Sequence, residues 1–315
     1  MTLLRIIFGG AGPFADGVFD TLTGSTDIEI MAVVTTPDKP AGRGKKLHEQ
    51  DLSVKARERG LRVLKFPKIG APTALTELTG FGATAFLTAS YGQKLPKLVL
   101  DAFAEGCWNL HPSLLPEFRG ASPVQGALLA GKRITGVTLF KMVESMDAGP
   151  IAGSHATEIG DEETAGTLLE RLAHRAGLLA RSALPYAARG HLPLDKQDHA
   201  AASYASKLTK ADGRVDFSLD APTLHNRIRA VTPWPGAFCS HLGETIQLAG
   251  SRVAQNEGTT ASPGTLLRWN AQGLEIACGR GVLGIQQLQR AGRRWMTAAD
   301  FVNGARLKAG DIIRP

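Results

Sequence analysis

The sequence predicts an α/β protein with a Rossmann-like, doubly wound, mostly parallel sheet, followed by a small C-terminal open β-barrel of the OB-like type. Apolar strands alternate with amphipathic helices through the first 190 residues. A polar segment with a proline follows, and short strands separated by glycine and proline fill the remainder. We therefore expect a catalytic domain over 1–190, a linker over 191–208 and a β-barrel domain over 209–315.

The first half contains the elements of a parallel sheet. Short apolar runs predict strands over 4–8, 28–35, 61–64, 83–89, 107–110 and 136–142. Apolar residues at helical spacing predict helices over 14–22, 52–59 and 164–188. In sheets of this kind, ligands bind outside the carboxyl ends of the strands.

The second half contains one helix and several short strands. The helix is expected over 223–230, and the strands over 238–241, 246–249, 265–269, 274–277 and 282–288. No apolar run is long enough to span a bilayer, and the first residues lack the zones of a secretory signal. We expect a cytoplasmic protein whose three widely spaced cysteines form neither a metal site nor a disulfide framework.

The positive charge is concentrated toward the C-terminus. The net charge is +7, and residues 191–315 contribute 15 Lys and Arg against 10 Asp and Glu. A basic domain can bind a polyanion such as RNA, because each phosphate contact releases counterions. The same excess can also serve only as a margin of solubility.

Two glycine-containing loops of the first half could face a ligand. Gly10–Ala15 nearly matches the dinucleotide fingerprint, but Pro13 has no N–H for a pyrophosphate and no acid ends the second strand. A plain tight turn is the simpler interpretation. The second loop, 36–47, is long and basic, with cations at Arg43, Lys45 and Lys46. These side chains could bind phosphates, or the loop could simply be a solvated surface segment.

A polar pair stands at the end of the fifth predicted strand. Asn109 and His111 have strand spacing and so face the same side, just before a proline-bounded loop. Asp147 is expected in a loop between two strand-like segments. If it lies near His111, the three groups form a proton-handling site; otherwise they only cap turns.

These motifs together resemble the formyltetrahydrofolate-dependent formyltransferases. The resemblance rests on Asn109, His111, the run Ser113-Leu114-Leu115-Pro116 and Asp147, in that order within an alternating α/β half. It implies that Asn109, His111 and Asp147 are catalytic. It also implies folate contacts by Ser113, Leu114, Leu115 and Pro116 and, after the fourth strand, by Tyr91 and Gly92.

Three further segments are similar to the branch of this family that acts on methionyl-tRNA: 37–47, 203–208 with 215–217, and 232–236. That likeness implies 10-formyltetrahydrofolate as co-substrate, no metal, and the α-amine of initiator methionyl-tRNA as acceptor, for translation initiation. We expect tRNA contacts by Arg43, Lys45, Lys46, Lys207 and Lys210. We expect no membrane partner, and nothing in the sequence demands more than a monomer. One departure is Gly10-Ala11-Gly12-Pro13-Phe14, where most members have Gly-Thr-Pro-x-Phe.

Four other functions stay open from the sequence. The first is a formyltransferase of the same fold that acts on an amino-sugar nucleotide or a ribosyl-amine. The others are a folate-dependent hydrolase, a non-catalytic RNA-binding protein and a nicotinamide oxidoreductase. The RNA-binding protein predicts that His111→Ala leaves every function intact, whereas the rival formyltransferase shares Asn109, His111 and Asp147.

Overall fold

The computed structural model describes residues 3–41 and 46–313. Two compact units emerge: Met1–Pro123, Ile134–Glu158 and Leu169–Ala205 form the first, and Val124–Arg133, Ile159–Leu168 and Ser206–Pro315 form the second. Residues 191–205 thus belong to the first unit. The domain limits at 190 and 208 stay a prediction.

The strands and helices of the first 205 residues alternate, as predicted. The strands are β1 (Leu4–Gly10), β2 (Ile28–Thr35), β3 (Lys39–Ala41), β4 (Lys46–His48), β5 (Arg62–Lys65), β6 (Ala85–Ala89), β7 (Cys107–His111), β8 (Arg119–Gly120), β9 (Ile134–Lys141), β10 (Ile151–Glu158) and β11 (Tyr204–Ala205). The helices are α1 (Pro13–Leu22), α2 (Asp51–Glu58), α3 (Pro72–Thr79), α4 (Lys97–Leu100), α5 (Pro123–Leu129) and α6 (Ala165–Ala188).

The main sheet has seven strands in the order β10-β9-β7-β6-β1-β2-β5. The five strands from β7 to β5 run parallel, and β9 pairs antiparallel with both β7 and β10. From β1 the chain winds first to β2 and β5, and then returns to β6 and β7 on the other side. This reversal at β1 and β6 confirms the doubly wound sheet and opens a crevice at the carboxyl ends of these strands.

The turn after β1 follows from its glycines and proline. Gly12 has a φ of 80°, which favours glycine, and it caps α1. Pro13 occupies the first turn of that helix, where its missing N–H costs no hydrogen bond.

The second unit is built on an antiparallel sheet. Its strands are β12 (Ala237–His241), β13 (Glu244–Gln255), β14 (Leu266–Asn270), β15 (Gly273–Ala277), β16 (Val282–Arg290) and β17 (Met296–Thr297). They pair in the order β12-β13-β16-β15-β14, with β17 beside β16. Helices α7 (Ala221–Ala230) and α8 (Ala298–Ala305) pack against this sheet and share its apolar core. The sheet is open as predicted, and no pairing in the described part of the chain closes it into a barrel.

Within the described ranges, no helix has both the length and the apolar character needed to cross a bilayer.

Candidate active site

Strand β7 carries the polar pair to the edge of the crevice. It lies between β6 and β9, and of its five residues only Asn109 is partly exposed. Trp108 and Leu110 are buried in the core, whereas Asn109 and His111 share the opposite face. The pair is therefore presented by a rigid central strand, as the spacing in the sequence predicts.

The Asn109 amide is oriented by its neighbour in the sheet. Thr88 of β6 pairs with Asn109 in the parallel register, so both side chains stand on one face. The Thr88 hydroxyl donates to Asn109 Oδ1 at 2.8 Å, which is nearer than its two other acceptors, the Trp108 carbonyl at 3.1 Å and Met142 Sδ at 3.4 Å. Since the amide oxygen accepts this bond, the NH₂ group points away from Thr88, toward the open side of the strand.

His111 is buried and held through one ring nitrogen. The Phe118 carbonyl lies 2.9 Å from His111 Nε2. A carbonyl can only accept, so Nε2 carries a proton and donates it. The nitrogen that can gain or lose a proton is therefore Nδ1, which faces Asp147 Oδ2 at 3.9 Å. The structure thus brings His111 and Asp147 together.

Asp147 lies in the loop between β9 and β10, as predicted. Its side chain is 15% exposed, and Oδ2 accepts a 2.8 Å hydrogen bond from the Gly120 amide. Its φ of 50° is in the left-handed region, which costs an L-residue about 1–2 kcal/mol. The carboxylate and the imidazole therefore face each other at a distance that a single bridging group can span.

The predicted folate run forms a braced loop. The Ser113 hydroxyl donates to the Glu117 carbonyl at 2.7 Å, and Thr138 of β9 bonds both the Ser113 carbonyl and the Leu115 amide. Ser113 and Leu115 are buried, whereas Leu114 and Pro116 are half-buried. The side chains that could contact a ligand in this loop are therefore those of Leu114 and Pro116.

The loop after β6 contains the two other predicted folate residues, which differ in their exposure to solvent. The Tyr91 ring packs in the core beside Phe86, and burial raises the pKa of its phenol. No described residue bonds its hydroxyl. Gly92 is exposed with a φ of 79°, so its bare backbone can approach a ligand closely. Next to it lies an open cavity of about 370 Å³, lined by Lys94, Leu95, Pro96, Lys97 and Glu144.

The predicted phosphate-binding residues lie in separate places. Arg43 and Lys45 lie outside the described residues. Lys46 begins β4, which pairs with β3 as a hairpin within the loop that the sequence predicted to be irregular. Lys207 and Lys210 are exposed on the second unit. Contacts of all five with tRNA stay a prediction.

Three polar residues beside this site were missed by the sequence reasoning. Thr88 interrupts the apolar run of β6, which is a signal that could have been read. Arg119 and Gln197 are both buried and bonded to each other across a long stretch of chain. No local pattern predicts such a pair.

Two known domain families match the chain. Residues 1–184 match the family described as "Formyl transferase", and residues 207–306 match "Formyl transferase, C-terminal domain". A methionyl-tRNA formyltransferase of Xanthomonas campestris pv. campestris (strain 8004) is 40% identical over 304 residues, covering 96% of this chain and 98% of the relative. That of Sorangium cellulosum (strain So ce56) is 37% identical over 311 residues, covering 98% and 99%.

A solved structure shares the fold. An N-formyltransferase from Helicobacter canadensis, in complex with folinic acid and dTDP-3-aminofucose, superposes with a TM-score of 0.63 at 17% identity. The match covers 92% of this chain and 100% of that one. Both domain matches and the extended identity to full-length relatives lead to one conclusion: the chain belongs to the formyl transferase family.

Proposed function

We propose that this protein transfers the formyl group of 10-formyltetrahydrofolate to the α-amine of initiator methionyl-tRNA, by direct attack of the amine. The observation that carries the proposal is the cluster at the end of β7, where His111 and Asp147 face each other beside Asn109. The tRNA acceptor is supported by the relatives, which are named methionyl-tRNA formyltransferases and align over nearly their whole length.

The residues of the crevice fit a folate donor. When bound, 10-formyltetrahydrofolate would supply an electrophilic formyl carbon on an amine nitrogen. The exposed backbone of Gly92 and the half-buried Leu114 and Pro116 offer a surface for a flat ring. Folate contacts at Tyr91, Ser113 and Leu115 would use backbone groups, because these side chains are buried.

Asn109 would stabilise the charge that develops on the formyl oxygen. Its NH₂ is free to donate, since Thr88 occupies the amide oxygen. One preorganised donor of this kind contributes about 2.7–4 kcal/mol in acyl transfer. Protonated at Nδ1, His111 can act as a second donor to the same oxygen.

Asp147 would face the His111 ring and receive the proton that leaves the amine. That proton would then reach the folate nitrogen as its bond to the formyl carbon breaks, so that tetrahydrofolate leaves as a neutral amine. The 3.9 Å between Nδ1 and Oδ2 exceeds a direct hydrogen bond, so a proton passing between them needs a bridging group. The α-amine itself, with an ordinary pKa of about 7.7–8.0, has a usable neutral fraction near neutral pH.

The test is transfer of radiolabelled formyl from 10-formyltetrahydrofolate to methionyl-tRNA, with the His111→Ala protein alongside. We expect label on the aminoacyl group and a rate about 10²–10⁴-fold lower in the variant, because a general acid–base group is lost. His191→Ala is the matched control, because the His191 side chain is exposed, unlike that of His111.

Two outcomes would contradict the proposal. Wild-type protein that labels an amino-sugar nucleotide or a ribosyl-amine, but not methionyl-tRNA, would reassign the acceptor. Release of labelled formate at the same rate with and without any acceptor would indicate a hydrolase.

A further inference from the structure

Residues 197–205 of the first unit contact both loops that hold His111 and Asp147. We propose that Gln197 and Ser203 are positioning residues, which lock the catalytic imidazole and carboxylate into their reactive arrangement. This inference rests on the proposed function for the reaction itself, but its structural part stands on the contacts alone.

Both loops contain a backbone conformation that needs to be held in place. Asp147 has a φ of 50° and Phe118 a φ of 57°. A left-handed conformation is uncommon for any residue with a side chain, and especially so for a bulky one such as phenylalanine. Such conformations persist only where the surrounding structure over-determines them. Phe118 supplies the carbonyl that binds His111, so the two strained residues govern both members of the pair.

Gln197 holds the Asp147 loop. Its side-chain nitrogen donates to the Asp147 carbonyl at 2.9 Å and to the Gly149 carbonyl at 2.7 Å. These two bonds span the turn in which Asp147 takes its left-handed conformation. The Asp147 side chain is then aimed so that Oδ2 reaches the Gly120 amide and faces His111.

Arg119 sets the orientation of the Gln197 amide. The guanidinium is 2% exposed and donates to Gln197 Oε1 through Nε at 3.2 Å and through Nη2 at 2.5 Å. A guanidinium has only donors, so the amide oxygen must face it and the NH₂ must face the two carbonyls. The buried cation thus excludes the flipped amide, which would place an oxygen against the carbonyl of Asp147.

Ser203 holds the Phe118 loop. Its hydroxyl accepts from the Phe118 amide at 2.9 Å, and its own carbonyl accepts from the Arg119 amide at 2.8 Å. The pairing of β11 with β8 continues this connection along the chain. Phe118 is therefore bound on both sides: its N–H to Ser203 and its carbonyl to His111 Nε2.

The experiment compares Gln197→Glu and Gln197→Leu with the wild-type full-length protein. Glutamate keeps an acceptor for Arg119 but has no N–H for the two carbonyls, so it removes the positioning bonds without leaving the buried cation unpartnered. We expect both variants to lower kcat about 100-fold, the effect of a misplacement of about 1 Å, while KM for both substrates stays within about twofold. Asp198→Ala is the matched control, since the neighbouring Asp198 only caps a turn through Ala200.

A double-mutant cycle separates positioning from general structure. Combined with Asp147→Ala, Gln197→Glu should cause little further loss, because there is no carboxylate left to aim. The same fold loss in both backgrounds would overturn the inference. Ser203→Ala provides a second variant and should lower kcat about tenfold, the equivalent of one hydrogen bond, with KM unchanged.

Crystal structures decide the structural part without the reaction. In Gln197→Glu, the Asp147 φ should leave the left-handed region and the bond from the Gly120 amide to Oδ2 should be lost. If both persist, Gln197 does not position Asp147 and the inference is wrong. If wild-type protein fails to label methionyl-tRNA, the proposed function fails, whereas these structures still test the positioning.

Discussion

Thr88 acts on the chemistry of this site by orienting the Asn109 amide. It is 2% exposed and fixes the Asn109 amide through a single hydroxyl bond at 2.8 Å. A side-chain amide can turn about its last bond, so without a donor at Oδ1 the NH₂ would face the formyl oxygen only part of the time. Strand β6 therefore contributes the orientation of the Asn109 amide.

Thr88→Val should therefore lower kcat about tenfold with little change in KM, since the lost bond acts on the transition state. Steady-state kinetics with methionyl-tRNA at saturating folate would measure it. Thr135→Val is the matched control: Thr135 is 3% exposed, and its hydroxyl has no partner among the described residues. The control should keep full activity. Equal kcat in the two variants would show that Thr88 does not orient Asn109.

At the scale of elements, helices α1 and α6 approach closely because each contributes a glycine to the contact. A Cβ on Gly17 would stand 2.7 Å from the Ala173 Cβ, and one on Gly177 would overlap Thr21. The absent side chains let α6 lie close against α1, which packs on β1 and β6 beneath the crevice.

In Gly177→Ala, the methyl group meets the Thr21 Cβ, which only a backbone shift can move, at a cost of about 1–3 kcal/mol. The gain in helix propensity offsets about 1 kcal/mol of this, so we expect a net loss of stability of up to about 2 kcal/mol. Urea titration would measure the shift in midpoint at constant slope. Gly304→Ala in α8 is the control: a Cβ there meets nothing within 4 Å, so a loss of stability is not expected.

Some of the secondary-structure elements and their contacts could be predicted from the sequence, and others could not. Periodicity placed β6, β7 and α1 close to their observed bounds, and the spacing of Asn109 and His111 placed both on one face. The segment 191–202 is polar, and the sequence predicted a linker there. Gln197 gains its role only from contacts with Asp147 and Arg119, about 50 and 78 residues away along the chain. Strands β8 and β11 have two residues each and leave no periodic signal.

At the scale of the whole molecule, charge is the property that bears on the acceptor. Of the net charge of +7, residues 191–315 carry +5. Exposed Lys207 and Lys210 stand where the second unit begins, and Trp295 is 43% exposed beside two arginines. An excess of positive charge attracts any polyanion, so specificity for methionyl-tRNA has to come from additional contacts.

Salt dependence measures how many of the predicted cations reach phosphates. Five cations are predicted to contact one phosphate each: Arg43, Lys45, Lys46, Lys207 and Lys210. In that case, a plot of the logarithm of the tRNA dissociation constant against the logarithm of the KCl concentration should have a slope of about 4. Removing Lys207 and Lys210 together as alanines should reduce this slope by about 1.5. Filter binding at several salt concentrations gives both values, with the exposed Lys308→Ala as control. An unchanged slope in the double variant would show that these two lysines do not contact tRNA phosphates. This would hold even if the double variant bound tRNA more weakly at one salt concentration.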